Sequence, residues 1–174
     1  MKKIVFAVLS VAMMISMVSC GGSVEGNSSE NNPVSSSASQ KEYSVTELGQ
    51  KLFSEVTYED DIQPLGENET DSIDFVTAYY VIEKEDILSA VLYAGSGATP
   101  EEICIVKAAQ GKVEAVKTAM EGRLDILKTD FTDYNPEQMP KIDNAKVYVN
   151  DDYVVLCVSG DANKVKEILD NYFK

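Results

Sequence analysis

Three segments after residue 43 carry apolar residues at intervals of three or four, which is the spacing of one helix face. The first, residues 45–56, follows a capping box. The second, residues 113–131, is the longest, and the third, residues 165–172, follows Asp161, a favourable N-cap. Residues 71–80 fit a short helix or a strand, and we favour the helix. The pattern therefore predicts four helices.

Four shorter segments are almost continuously apolar, as is typical of strands. Residues 87–93 and 102–107 flank a break that is rich in glycine, and residues 145–149 and 153–158 flank a tight polar turn. Each pair predicts an antiparallel hairpin. The whole order predicts an α+β fold: a two-layer sandwich in which a four-stranded antiparallel sheet, made of two hairpins, has helices packed mainly on one face.

The N-terminus is typical of an export signal. Lys2 and Lys3 precede an apolar run at residues 4–18, which is shorter than the roughly 20 residues of a permanent membrane span. The run ends at Ser19-Cys20-Gly-Gly, which resembles the lipobox of bacterial lipoproteins. In those proteins the cysteine carries diacylglycerol, and the chain is cut just before it. We therefore predict cleavage between Ser19 and Cys20 and lipid attachment at Cys20; the alternative is an ordinary signal peptide with a chance cysteine.

Composition then divides the chain into three parts. Residues 1–19 are predicted to be a lipoprotein signal peptide. Residues 20–42 are rich in glycine, serine and asparagine without apolar periodicity, so we expect the lipid-anchored cysteine to be followed by a disordered tether. Residues 43–174 are predicted to form a single globular domain. The expected location is the extracytoplasmic face of the cell membrane.

Charge and missing residue types limit the possible chemistry. Acidic residues outnumber basic ones by 29 to 15, giving a formal net charge of −14. Such a surface repels nucleic acid and anionic lipid headgroups. The chain contains no histidine, so a Ser-His-Asp or Cys-His arrangement cannot be built from it. We predict no catalytic residue, no metal site and no cofactor.

Several local features suggest sites, and each has a simpler structural explanation. The Gly95–Thr99 loop resembles a phosphate loop, but it lacks the lysine and precedes a strand, which favours a hairpin connection. Acids at 59–61, 130–133 and 151–152 do not follow the calcium-loop pattern, which favours solvated turns. Cys104 and Cys157 lie in separate apolar strands. They are expected to be small buried residues rather than a disulfide.

Several short motifs resemble those of a known family. They are the turn and strand at 98–103, the Tyr-Asn-Pro loop at 134–136, the Pro-Lys-Ile segment at 140–142, the strand at 153–156 and the helix at 168–173. Together they resemble the family called domain of unknown function 4358, a group of small bacterial lipoproteins, from Leu48 to Phe173. The resemblance implies export, lipid anchoring and one compact domain. It implies no activity and no site residues.

The sequence leaves three hypotheses for function. The first is a non-catalytic binding or scaffolding domain in the cell envelope, attached to the membrane by the lipid on Cys20. The second is an extracellular hydrolase that acts through carboxylates alone. The third is a subunit of a larger envelope complex. An envelope protein or another ligand is therefore the expected partner, in addition to the membrane.

Overall fold

The computed structural model describes residues 41–174, which form one compact unit containing five helices and a five-stranded sheet. The helices are α1 (Val45–Glu55), α2 (Glu69–Tyr80), α3 (Val113–Tyr134), α4 (Met139–Asn144) and α5 (Ala162–Tyr172). The strands are β1 (Gln63–Pro64), β2 (Ile87–Ala94), β3 (Glu102–Ala108), β4 (Val147–Asn150) and β5 (Tyr153–Val158). Within residues 41–174, no helix has both the length and the apolar character needed to cross a bilayer. The predicted signal peptide, the Ser19–Cys20 cleavage site and nearly all of the predicted tether lie outside the described residues.

Side-chain caps fix where three of the helices begin. The Ser44 hydroxyl accepts a hydrogen bond from the Glu47 N–H, and the Asp161 carboxylate accepts one from the Lys164 N–H. Asn68 caps α2, which is the helix that the ambiguous segment at 71–80 was predicted to form. Each cap satisfies backbone donors that have no partner within the helix.

The sheet is antiparallel throughout and has the strand order β1-β2-β3-β5-β4. Both predicted hairpins are present, and they join side by side because β3 pairs with β5. The prediction of four strands was wrong. The additional strand, β1, is two residues long and pairs with Tyr93 and Ala94 at the edge of the sheet. A segment so short, half of it proline, carries no strand pattern that the sequence could reveal.

Helices cover both faces of the sheet, so the predicted arrangement with helices mainly on one face was also wrong. Side chains alternate along the two central strands, and on both faces almost all of them are apolar. The first face packs against α1 and α5 through Val91, Tyr93, Ile103, Ile105, Tyr153, Val155 and Cys157. The second packs against α2, α3 and α4 through Ala90, Leu92, Cys104, Val106, Val154, Leu156 and Val158. Strands that are buried on both sides have continuous apolar sequences.

The segment between α3 and β4 is helical rather than a loop. A 3₁₀ turn at Pro136–Gln138 leads directly into α4, and Pro140 occupies the first turn of that helix. Proline is well tolerated there because the first N–H groups of a helix have no partner within it. Ile142 anchors α4 in the core.

The described chain is held at its beginning by Tyr43, on the face covered by α1 and α5. The Tyr43 N–H donates to the Tyr153 hydroxyl at 2.9 Å, and that hydroxyl donates to the Tyr43 carbonyl at 2.8 Å. The Tyr43 ring packs against Phe173 at 4.9 Å between centroids. The Lys41 ammonium also donates to the main-chain oxygen of Lys174 at 2.6 Å. The first described residues are thus tied to the C-terminal end of the domain.

The two cysteines of the sheet are free and buried, as predicted. Cys104 and Cys157 lie on adjacent central strands, but their side chains point to opposite faces. Burial raises the pKa of the Cys104 thiol and raises the pKa of Cys157 to about 12. Neither thiol is a ready nucleophile, because the reactive form is the thiolate.

We expect both buried thiols to be unreactive in the folded protein. In a Cys20→Ser variant, Ellman's reagent at neutral pH should modify neither Cys104 nor Cys157 until urea unfolds the chain, after which both should react. A reductant should leave the urea midpoint unchanged. Rapid labelling of either residue without denaturant would contradict the observed packing.

Candidate binding groove

An open groove runs between the C-terminal end of α2 and one side of α3. Its volume is about 610 Å³, and it is widely open to solvent. Most of the lining of the groove is apolar. Two segments of the chain supply the lining residues. They are Tyr79, Tyr80 and Val81 at the end of α2, and Glu114, Ala115, Thr118, Ala119, Gly122, Arg123 and Ile126 on α3.

The groove exists because the α3 residues that face it are small. Ala115, Ala119 and Gly122 present little or no side chain. Gly122 is not needed for close packing, because a Cβ atom at that position would meet no atom within 4 Å. Glycine there costs the helix about 1 kcal/mol relative to alanine. The cost is not offset by any contact within the described domain.

Val81 forms the exposed rim of the groove in an unfavourable backbone conformation. It follows the last residue of α2 at φ 54° and ψ 46°, the left-handed region that a β-branched side chain rarely adopts. Its side chain is also 82% exposed. Strain of this kind costs on the order of 1–3 kcal/mol and is concentrated at functional sites. Ile126 and Tyr79, at 46% and 39% exposure, continue the apolar surface.

A buried ion pair forms the floor where the groove ends. Arg123, the single arginine of the chain, donates from Nη2 to Glu102 Oε2 at 2.7 Å and from Nε to Oε1 at 3.1 Å. The Tyr80 hydroxyl donates to the same carboxylate at 2.7 Å. Burial by itself would lower the pKa of Arg123, but the hydrogen bonds and charge of Glu102 outweigh it and raise that pKa. Glu102 is only 2% exposed, so these partners take the place of water around its carboxylate.

A smaller depression of about 210 Å³ meets the groove at Tyr79 and Arg123, which border both. It lies beneath the Gly95–Thr99 loop, which connects β2 to β3 as predicted. Asp60 Oδ2 accepts from the Ser96 N–H at 3.0 Å, and a Cβ at Gly95 would lie 2.3 Å from that oxygen. Glycine is therefore required for this close approach. Its lining contains three acids, Glu101, Glu102 and Asp130. The first two form ion pairs, so the acidic character of the depression comes from Asp130.

A second ion pair joins two of the motifs that carry the family resemblance. The Glu101 carboxylate accepts from the Glu59 and Asp60 N–H groups at 2.7 and 2.8 Å. It also accepts from the Lys141 ammonium at 2.9 Å, and Lys141 reaches Glu59 Oε2 at 2.7 Å. The turn at 98–103 is thereby tied to the start of α4. Burial opposes the charge of Lys141, but its two carboxylate partners raise its pKa overall.

The remaining acids that the sequence suggested do not assemble into a site. Asp151 takes the left-handed conformation that the β4–β5 turn requires. Among residues 41–174, no three His, Cys, Asp or Glu side chains come together as a metal site would need.

Sequence reasoning missed the groove and its floor, although one signal was present: Glu102 is a charged residue at the start of a strand that is otherwise almost entirely apolar.

We expect removal of Arg123 to destabilise the domain strongly. Arg123→Met leaves the Glu102 charge buried without its cation, which should lower the free energy of unfolding by about 3–5 kcal/mol in urea titrations. Adding Glu102→Gln should recover part of this loss. Lys166→Met, which breaks the exposed pair with Asp170, should have no measurable effect. An Arg123→Met variant as stable as the parent would show that the buried pair does not hold the groove floor.

Comparison with known proteins gives a family but no described activity. No curated protein and no solved structure is significantly similar to this chain. One family model, described as Domain of unknown function (DUF4358), matches residues 61–159. The match covers more than half of the chain, from the start of β1 to the end of β5, and includes both sides of the groove. The chain therefore belongs to the DUF4358 family, as the motif resemblance predicted.

Proposed function

We propose that this protein is an exported lipoprotein, held at the outer face of the cell membrane by lipid on Cys20. We propose further that its folded domain is a non-catalytic module that binds a protein of the cell envelope. The observation that carries the binding role is the open apolar groove between α2 and α3. The cationic start, apolar run and Ser19-Cys20-Gly-Gly sequence support the anchor.

The shape of the groove favours a protein partner over a small molecule. Small-molecule sites enclose most of the surface of their ligand. This groove is widely open to solvent, so a small ligand would keep much of its surface in water. Exposed apolar side chains that adjoin one another are typical of protein-binding surfaces. Val81 and Ile126 supply them here, on opposite sides of the groove.

The buried carboxylates are arranged for structure rather than for acid–base chemistry. Glu101 and Glu102 are almost fully buried, and their oxygens accept hydrogen bonds from ammonium, guanidinium, hydroxyl and backbone N–H groups. A general acid or base must instead lie within hydrogen-bond reach of the substrate. This pairing favours the binding role over the alternative of a hydrolase that acts through carboxylates.

The position at which the described chain begins is compatible with anchoring and binding at the same time. Tyr43 is held on the face covered by α1 and α5, whereas the groove lies on the face covered by α2, α3 and α4. The first described residues therefore do not occupy the groove.

The anchor predicts a clear result in the native organism. Cells grown with an alkyne analogue of palmitate should label the wild-type protein and retain it in the membrane fraction. Cys20→Ala should abolish the label and release the protein, because only that thiol accepts diacylglycerol. Ser23→Ala serves as the matched control and should behave as wild type. Persistent membrane retention of the Cys20→Ala protein would contradict lipid anchoring.

The binding role predicts contact at one face only. A photo-reactive phenylalanine analogue at Ile126 should cross-link in cells to one discrete envelope protein. The same analogue at Val149, an exposed apolar residue on the edge strand β4, should not. Gly122→Leu should suppress the Ile126 cross-link, because the added side chain fills open space in the groove. Equal cross-linking from both positions, or no effect of Gly122→Leu, would count against the groove as the binding site.

A further inference from the structure

We infer that the segment bound in the groove is an amphipathic helix whose apolar face is followed by basic residues. The inference rests on the proposed binding function and adds the chemistry of the partner. Three features of the described residues carry it: the small residues on α3, the distribution of charge around that helix, and the acidic depression at the end of the groove.

The dimensions of the groove fit a helix. Its α3 wall runs from Glu114 to Ile126, which is about 18 Å, or roughly three turns, at 1.5 Å per residue. Ala115, Ala119 and Gly122 recur along this wall at helical spacing. Small residues at such spacing let a second helix approach with its axis about 8 Å away. The side chains of the incoming helix would then contact Val81 and Ile126 on either side.

Glu114 is the one acid among the groove-lining residues of α3, and further acids lie on the same side of that helix. Counted at 100° per residue, Glu114, Asp125 and Asp133 share the arc occupied by the α3 residues that line the groove. The two lysines of α3 lie on the other side, where Lys117 pairs with Glu114 and Glu121, and Lys128 approaches Asp143 of α4.

The cations nearest the groove are already neutralised. Arg123 is paired with Glu102, and Lys112, just before α3, pairs with Asp86 at 2.6 Å. Glu114, the one acid that lines the groove, is paired as well. The charge that would attract a cationic partner is therefore that of Asp125, Asp130 and Asp133, which lie on the same side of α3 and form no ion pair among residues 41–174.

The end of α3 increases this attraction. Asp130 and Asp133 lie near its C-terminus, and its last turn contains no basic residue. Carboxylates at that end oppose the helix dipole, typically by 0.3–1 kcal/mol each at an exposed site. Asp130 also lines the acidic depression that meets the groove at Tyr79 and Arg123. Lysine or arginine following the apolar part of the partner would reach this depression and relieve the repulsion.

The same charge distribution argues against a second copy of the chain as the occupant. Acidic residues outnumber basic ones by 29 to 15, so two copies repel each other over most of their surfaces. A basic segment is attracted by the same field.

Two synthetic helical peptides separate the apolar contribution from the charged one. Both would have about 18 residues, enough to span the groove. They would share a leucine and alanine face and differ only in ending with lysines or with glutamates. Full-length protein with Cys20→Ser would be titrated into each labelled peptide while fluorescence anisotropy is measured. We expect the lysine peptide to bind about tenfold more tightly at low salt, and this preference to shrink at physiological ionic strength.

Matched variants locate the binding. Gly122→Leu should abolish binding of the lysine peptide, whereas Gly160→Leu, at a second glycine with open space around it, should not. Asp130→Asn combined with Asp133→Asn should remove most of the charge preference. The control pair Asp151→Asn and Asp152→Asn, in the β4–β5 turn, should leave it intact.

The possible failures are distinguishable. Equal binding of both peptides, lost in Gly122→Leu, would overturn the basic partner and leave the groove function standing. Binding of neither peptide, with a partner still cross-linked from Ile126, would overturn the helical partner alone. Absence of both peptide binding and cross-linking would remove the proposed function as well. Concentration-dependent dimers that disappear in Gly122→Leu would identify a second copy as the occupant and overturn this inference.

Discussion

The central strands β3 and β5 must lose water from both of their faces, and this requirement arranges the rest of the domain. Ile105 and Val155 point to one side and Val106 and Leu156 to the other, all of them buried. Full burial of each such side chain contributes about 1.5–3 kcal/mol, so neither face can be left open. Helices α1 and α5 cover the first side, and α2, α3 and α4 cover the second. The groove lies between two of these covering helices, α2 and α3.

One charged side chain within this apolar centre acts with the buried apolar residues of α3 to orient that helix. Glu102 begins β3 on the side covered by α2 and α3, and its carboxylate requires a buried cation. Arg123 supplies it, which fixes the rotation of α3 about its axis. With Arg123 turned inward, Gly122 and Ile126 necessarily lie beside it along the side of the helix that faces the end of α2. The residues that stabilise the sheet thus also determine which residues are available for binding.

The local parts of this fold could be read from the sequence, and the long-range parts could not. Caps at Ser44 and Asp161 and the periodicity of α3 are encoded within a few residues, so those helices were predicted correctly. Strand β1 and helix α4 are short segments interrupted by proline, and they depend on neighbours distant in the chain. The apolar run of β5 indicated that the strand is buried. It did not show whether helices cover one face of the sheet or both faces. The groove was missed because it depends on side chains from α2 and α3 that lie far apart in sequence.

The opposite orientation of Cys104 and Cys157 has a consequence for the export that we propose for this protein. Adjacent strands separate the two sulfur atoms by the thickness of the sheet, so oxidants cannot join them without unfolding the domain. The covalent structure of the domain is therefore the same in a reducing cytoplasm and in an oxidising exterior. Its folding needs no thiol oxidase, and its stability comes entirely from non-covalent packing.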